Sequence, residues 1–221
     1  MLKAVIFDMD GTLLDTEKVY RRAWKVACEW AGIGDADTVI KNCTGRNRAD
    51  IRKYFERTYG ADFPFDEFIS VRESAFDRII EQEGIDAKEG MKYCLDYLKE
   101  NGIKIGLATS TNATDAEQRL RMAGAFEYFD AIVTGDCKRV KKGKPAPDIF
   151  LAALDALGVT AEDAIAVEDS LNGVRSAVSA GMRTVMIPDF FEPDTDIVSI
   201  LWKRFDTLTE LRDMLCVDRN I

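Results

Sequence analysis

Histidine is missing altogether from this chain of 221 residues. That excludes Ser-His-Asp triads, histidine-held metal centres and imidazole acid–base catalysis, and it leaves proton transfer to carboxylates, lysine, tyrosine, cysteine or water. Cysteine is scarce and scattered. Cys28, Cys43, Cys94, Cys137 and Cys216 are odd in number and form no C-x-x-C pair, which argues against a disulfide framework or a zinc site and for a reducing, cytoplasmic setting. No apolar run approaches the length of a membrane span. Residues 1–15 carry acidic side chains and lead straight into a strand pattern, unlike a signal peptide. Positive charge is the minority sign: 30 Lys and Arg stand against 39 Asp and Glu, a net charge of −9. Nucleic acid and anionic membrane are therefore poor partners. No G-x-x-x-x-G-K-[ST] occurs, so a P-loop kinase is excluded. There are no internal repeats and no self-association motif, and a monomer is the expectation.

What is present is a rhythm of short apolar runs and helix-period segments. The runs are 4–7, 103–108, 131–133, 164–167 and 184–187, each short enough, and bounded by polar residues and Gly, to be a buried parallel strand. Helical patterns fall near 91–100, 114–122, 147–157 and 170–180. A last helix starts near Thr207, where Thr207-x-x-Glu210 has the form of a capping box. Such alternation implies an α/β fold, a Rossmann-like doubly wound parallel sheet. The first strand stands apart. After Phe7 no comparable run appears until Ile103, and the intervening stretch shows Tyr20, Ala23, Trp24, Ala27 and Ala31, then Ile51, Tyr54, Phe55, Phe68, Ile69, Phe76 and Ile79, at helical spacing. About 70 residues is far more than a crossover needs. We read residues 16–85 as an inserted helical domain and residues 1–15 with 86–221 as the sheet domain.

Ligands of open parallel sheets bind at the carboxyl ends of the strands. The first run is followed by Asp8-Met9-Asp10-Gly11-Thr12, the second by Thr109-Ser110-Thr111-Asn112, and the run at 164–167 by Glu168-Asp169-Ser170. At one sheet edge these segments bring four carboxylates into a small volume, where they cannot all ionise without compensation. A divalent cation resolves this. With oxygen ligands only, a hard ion is indicated, Mg²⁺ before Zn²⁺, and magnesium held by few carboxylates points to phosphoryl chemistry. Lys144, in Gly143-Lys144-Pro145, is the candidate for the remaining charge. Each piece has a bland reading on its own: a turn after a strand, helix caps at Thr109, Ser110 and Glu168–Ser170, a solvated basic loop around Lys144. Taken together, their order, strand context and sign of charge all agree with a site.

In this order, Asp8-Met9-Asp10-Gly11-Thr12, Thr109, Lys144 and Glu168-Asp169 resemble the four motifs of the haloacid dehalogenase superfamily. Gly143-Lys144-Pro145-Ala146-Pro147-Asp148 and Val167-Glu168-Asp169-Ser170 are similar to its branch of small-molecule phosphatases and β-phosphoglucomutase. The resemblance covers essentially the whole chain. It implies a Rossmann-like core with a mobile helical cap inserted after the first strand. About 35 residues between Thr109 and Lys144 leave no room there for a second cap. It implies that Asp8 attacks phosphorus and becomes an aspartyl-phosphate, and that Asp10 protonates the leaving group and then deprotonates water. Thr109 binds a phosphoryl oxygen, beside Ser110, Thr111 and Asn112 as substrate contacts, and Lys144 neutralises charge. Mg²⁺ is held by Asp8, the Asp10 main-chain carbonyl and Asp169, with Glu168 direct or through water. The cap chooses the substrate, a small phosphorylated metabolite. Its candidates are Gly45, Arg46, Asn47, Arg48 and Arg72, with Glu17 facing the entrance; the bland reading is surface charge on helices. Asp10 argues against the dehalogenase and phosphonatase activities of the family, which lack it. A phosphatase is the reading, with a β-phosphoglucomutase-type mutase as the alternative. The mutase cap pattern Gly-x-Ser-Arg is matched only in part by Gly45-Arg46-Asn47-Arg48. A non-catalytic binding protein would show damage in a motif, and none is seen.

Overall fold

The computed structural model describes residues 1–44, 48–189 and 192–217. Two compact units emerge, Met1–Asp15 with Ile85–Ile221, and Thr16–Gly84.

In the first unit β1 (Ala4–Phe7) is followed, after the second unit, by α5 (Met91–Glu100), β2 (Lys104–Ala108), α6 (Ala113–Met122), β3 (Ala131–Val133) and α7 (Asp148–Leu157). Then come β4 (Ala164–Glu168), α8 (Leu171–Ser179), β5 (Arg183–Met186), α9 (Thr195–Ile200), β6 (Lys203–Arg204) and α10 (Leu208–Val217). The sheet is parallel, in the order β3-β2-β1-β4-β5-β6. Its central strand β1 is apolar on both faces because helices cover both; every residue of β1 is fully buried. Helix α7 packs on β1, β2 and β3, and α8 on β4 and β5. Between them lies a core of Ile6, Ile149, Phe150, Leu154, Leu157 and Met182.

The order matters more than the strands themselves. β1 lies between β2 and β4, with Phe7 in register with Leu107 on one side and Val167 on the other. The polar residues after these three strands are thereby placed side by side, at the point where successive connections leave in opposite directions.

Three details differ from the sequence reading. Strand β6 and helix α9 were not anticipated; β6 is two residues, Lys203 and Arg204, with no apolar run to mark it. The boundary of the insert falls after Gly84, with Ile85 in the first unit. The capping box at Thr207 is displaced. Thr207 Oγ1 accepts from Glu210 N at 3.2 Å, but the Glu210 carboxylate accepts from Asp206 N at 2.9 Å rather than from Thr207 N.

The second unit holds α1 (Glu17–Trp30), α2 (Ala36–Cys43), α3 (Arg48–Tyr59) and α4 (Phe65–Glu83). Their apolar stripes meet around Phe55, whose ring lies 4.7 Å from Phe68, 4.9 Å from Phe63 and 5.6 Å from Phe65. Each such pair adds about 0.5–1.5 kcal/mol beyond its burial. Trp24 is in this core, and Tyr20 packs on Phe76 at 4.3 Å.

Candidate active site

The segment after β1 turns back on itself at once. Gly11 adopts φ 86°, its N–H donates to Leu14 O at 2.9 Å, and Leu13 and Leu14 both donate to Met9 O. Met9, Thr12, Leu13 and Leu14 are fully buried, so apolar side chains anchor the turn that presents Asp8 and Asp10. A Cβ on Gly11 would run into the Asp169 carboxylate. Glycine is required there both for the positive φ and for the close approach.

Asp8 is buried, and its Oδ1 accepts from Lys144 Nζ at 2.5 Å. The same ammonium donates to Glu168 Oε1 at 2.5 Å. Glu168 is fully buried at the end of β4, and its other oxygen accepts from Asp169 N, Ser170 N and Ser170 Oγ at 3.1, 3.1 and 3.0 Å. Asp169 accepts from Thr12 Oγ1 at 3.1 Å. Asp8, Glu168 and Asp169 can each offer an oxygen within 4.8 Å of the others.

The electrostatics follow from burial. Desolvation pushes the Asp8 carboxyl up to about 7, with Glu168 and Asp10 adding and Lys144 opposing. Desolvation, then Glu168 and Asp8, raises Asp169 well above the usual carboxylate range. Burial works against the charge on Lys144, but Asp8 and Glu168 outweigh it and raise its proton affinity. Three crowded carboxylates sharing one ammonium hold excess negative charge in a low-dielectric pocket. All-oxygen donors with that excess fit a hard divalent cation.

Asp10 is held separately. Its Oδ2 accepts from Thr111 Oγ1 at 2.7 Å and its Oδ1 from Arg119 Nη1 at 3.1 Å. Thr109 directly follows β2, is buried, and its Oγ1 accepts from Thr111 N at 3.1 Å. Ser110 is exposed on the same loop. The Asn112 side chain caps α6, accepting from Asp115 N at 3.1 Å. Lys144 is delivered by a loop pinned at Asp148, which accepts from Lys141 N and Lys142 N, and at Ala146 O, which accepts from Ser176 Oγ at 2.6 Å.

Of the expected residues, the first unit thus brings together Asp8, Asp10, Thr111, Lys144, Glu168 and Asp169, with Thr109 directly behind. In the second unit Arg48 pairs with Asp66 at 3.2 Å, and Arg72 lies 4.9 Å over the Trp24 ring. Burial lowers the proton affinity of Arg72, and its Nε is buried without a hydrogen-bond partner. Glu17 opens α1 and is half-buried. Gly45, Arg46 and Asn47 lie outside the described residues.

The sequence pattern of the haloacid dehalogenase-like hydrolases matches residues 2–181. The chain belongs to this family. It is 33% identical over 184 residues to the phosphorylated carbohydrates phosphatase of Thermotoga maritima, covering 83% of this chain and 84% of that one. It is 34% identical over 192 residues to the (DL)-glycerol-3-phosphatase 1 of Arabidopsis thaliana, covering 84% and 63%. Its fold matches CbbY from Rhodobacter sphaeroides in complex with xylulose-(1,5)bisphosphate, with a TM-score of 0.80, 30% identity and 96% of each chain covered. As an enzyme of this family the chain is a phosphoric monoester hydrolase.

Sequence reasoning missed the site contacts of Thr12 and Arg119, and of Ser170 it read only the helix cap, which the structure has: Ser170 Oγ accepts from Gly173 N at 3.0 Å at the start of α8 and also donates to Glu168. Thr12 and Ser170 sit inside the motifs, and only their partners reveal them. Arg119 lies in no motif. Its one signal is position: with Ala116 and Leu120 it forms the buried stripe of α6, where an apolar residue is the norm.

Gly173 tests the geometry around Glu168. A Cβ there would run into that carboxylate. Gly173→Ala should therefore push Glu168 off Lys144, cost about 1–3 kcal/mol through overpacking and lower turnover. Thermal melts and p-nitrophenyl phosphate hydrolysis check this; an unchanged rate would mean Glu168 has no part in catalysis.

Proposed function

We propose that the chain is a Mg²⁺-dependent phosphatase of small phosphate monoesters, a sugar phosphate or similar metabolite, working through an aspartyl-phosphate on Asp8. The observation that carries this is the separation of the two aspartates. Asp8 shares Lys144 with Glu168 inside the acidic cluster, whereas Asp10, two residues on, is held by Thr111 and Arg119. This difference in partners supports one carboxylate acting as nucleophile and the other moving protons.

In the first half-reaction an Asp8 oxygen bonds to phosphorus, the ester P–O bond breaks, and Asp10 gives its proton to the leaving oxygen. In the second, water attacks phosphorus and yields a proton to Asp10. The Asp8–phosphorus bond then breaks, releasing inorganic phosphate and the Asp8 carboxylate. Lys144 keeps Asp8 oriented and offsets charge on the phosphoryl group. The Thr109 hydroxyl and the Ser110 main chain would hold phosphoryl oxygens. Asp8, the Asp10 carbonyl and Asp169, with Glu168 behind, would hold Mg²⁺, which when bound stabilises charge on the phosphoryl oxygens.

Thr16–Gly84 would select the substrate. Arg72, half-buried with its Nε unpaired and its Nη2 donating to Glu73 at 3.4 Å, suits an anionic or polar substituent, and Arg48 with Gly45, Arg46 and Asn47 would add contacts. The glycerol and carbohydrate phosphatases among the relatives support a small polyol or sugar phosphate. The test is to follow both phosphate release and sugar isomerisation across a panel of sugar phosphates with Mg²⁺, including β-glucose 1-phosphate with a trace of bisphosphate. Release of inorganic phosphate supports the reading. Isomerisation without net release would make the chain a mutase.

A further inference from the structure

Arginine is among the residues least often buried, and its charge is costly to bury without a partner. Arg119 is buried all the same: its side chain is 6% exposed, in a stripe otherwise filled by Ala116 and Leu120. A leucine or methionine would pack there without that cost. The guanidinium reaches the acid–base candidate, Asp10 Oδ1, at 3.1 Å, and Thr111 Oγ1 takes Oδ2 at 2.7 Å. Both oxygens of Asp10 are therefore engaged, by two donors of different kinds. Arg119 is carried on the buried stripe of α6, beside Ala116 and Leu120. Thr111 stands on the loop that also carries Thr109, and a hydroxyl can turn from a carboxylate to a phosphoryl oxygen.

We propose that Arg119 is the positioning residue of this active site, the fixed point on which the Asp10 carboxylate is seated, with Thr111 as the releasable second point. The inference rests on the phosphatase reading. When substrate draws the Thr111 hydroxyl away, Asp10 Oδ2 is freed to face the leaving oxygen and then water, while Oδ1 stays on Arg119. The seat sets the direction of Asp10 and leaves Asp8, Lys144 and Glu168 untouched.

The experiment uses p-nitrophenyl phosphate with rapid mixing. Its leaving group needs no acid, so the first half-reaction is independent of Asp10 and the second depends on it. Arg119→Met should release about one equivalent of nitrophenolate in a burst, at a first-turnover rate within about threefold of the wild type. Its steady-state rate should fall about 10- to 100-fold, part of the 10²–10⁴ that acid–base catalysis supplies. In an Asp10→Asn background, where the seat holds nothing useful, the same change should alter neither phase by more than about twofold. Burst and steady state falling together, an unchanged steady state, or a further loss on top of Asp10→Asn would each overturn the proposal. Arg119→Lys serves where the methionine variant loses its near-ultraviolet circular dichroism. Collapse of both variants would assign the arginine to the core and overturn the proposal as well. Absence of any nitrophenolate release by the wild type would instead overturn the phosphatase reading beneath it.

Discussion

Asp8→Asn should abolish turnover, by at least about 10⁴-fold, and leave the chain folded. That factor corresponds to about 5.5 kcal/mol of transition-state stabilisation. Loss of a covalent nucleophile exceeds it in enzymes that act through one. Asparagine keeps the shape of the side chain, so the turn of Met9–Leu14 and the packing around β1 have no reason to change. Lys144 retains Glu168 as a partner at 2.5 Å. The variant also removes a carboxyl that burial makes reluctant to ionise, with a pKa pushed up to about 7. Its thermal stability near neutral pH, without metal, should equal or exceed the wild type's. Rapid mixing with p-nitrophenyl phosphate separates this variant from Asp10→Asn, since Asp8→Asn should show no burst at all. Residual turnover near wild-type level would place the nucleophile elsewhere.

Removal of divalent metal with EDTA should stop hydrolysis, and Mg²⁺ should restore it, because the phosphoryl group adds further negative charge to a cluster already in excess. Turnover that survives chelation would refute the metal-dependent reading. The same cluster predicts a stability signature independent of activity. Burial raises Asp8 from 3.8 to about 7 and raises Asp169 well above 3.8. Across that window the folded chain binds more protons than the unfolded one. The stabilisation from these groups is therefore fullest at low pH and is lost as pH rises toward 7. Surface carboxylates behave oppositely. Asp66, Asp136 and Asp163 are held low by hydrogen bonds from Arg52, Thr134 and Lys3. Their contribution is complete above the ordinary carboxylate value and is lost only as pH falls below it. Lys144, raised in the folded chain, contributes uniformly below 10.5. The window between about pH 5 and 7 thus belongs to the acidic cluster. Metal-free protein should lose roughly 5 °C or more in melting temperature across it, and Mg²⁺ should raise the melting temperature more at pH 7 than at pH 5. A flat profile in EDTA would mean that the cluster is relaxed by water or by movement apart.

The core motifs are the part of the site that a sequence can carry. Asp8, Thr109 and Glu168 each terminate an apolar run, and strand ends at one sheet edge collect polar residues because the strands themselves exclude them. The strand order that makes them neighbours is not written in any one segment. It comes from pairing β1 between β2 and β4, which fixes Asp8 between the two. Strand β6 escaped notice because two polar residues at a sheet edge bury nothing that periodicity could register. The placement of Asn112 was equally local and equally hidden: a side chain that reads as a substrate contact is used to cap α6.

By itself the sequence determined that the chain alternates strand and helix, that a helical insert follows the first strand, and that carboxylates, a lysine and hydroxyls gather without histidine. Those properties are set by local periodicity and by residue chemistry. Only the tertiary structure decided how the charges are shared: that Lys144 bridges Asp8 and Glu168, that Thr12 holds Asp169, and that a buried arginine on α6 reaches Asp10 across 109 positions of chain. Electrostatic energy depends on distance and burial, and neither exists until the chain has folded.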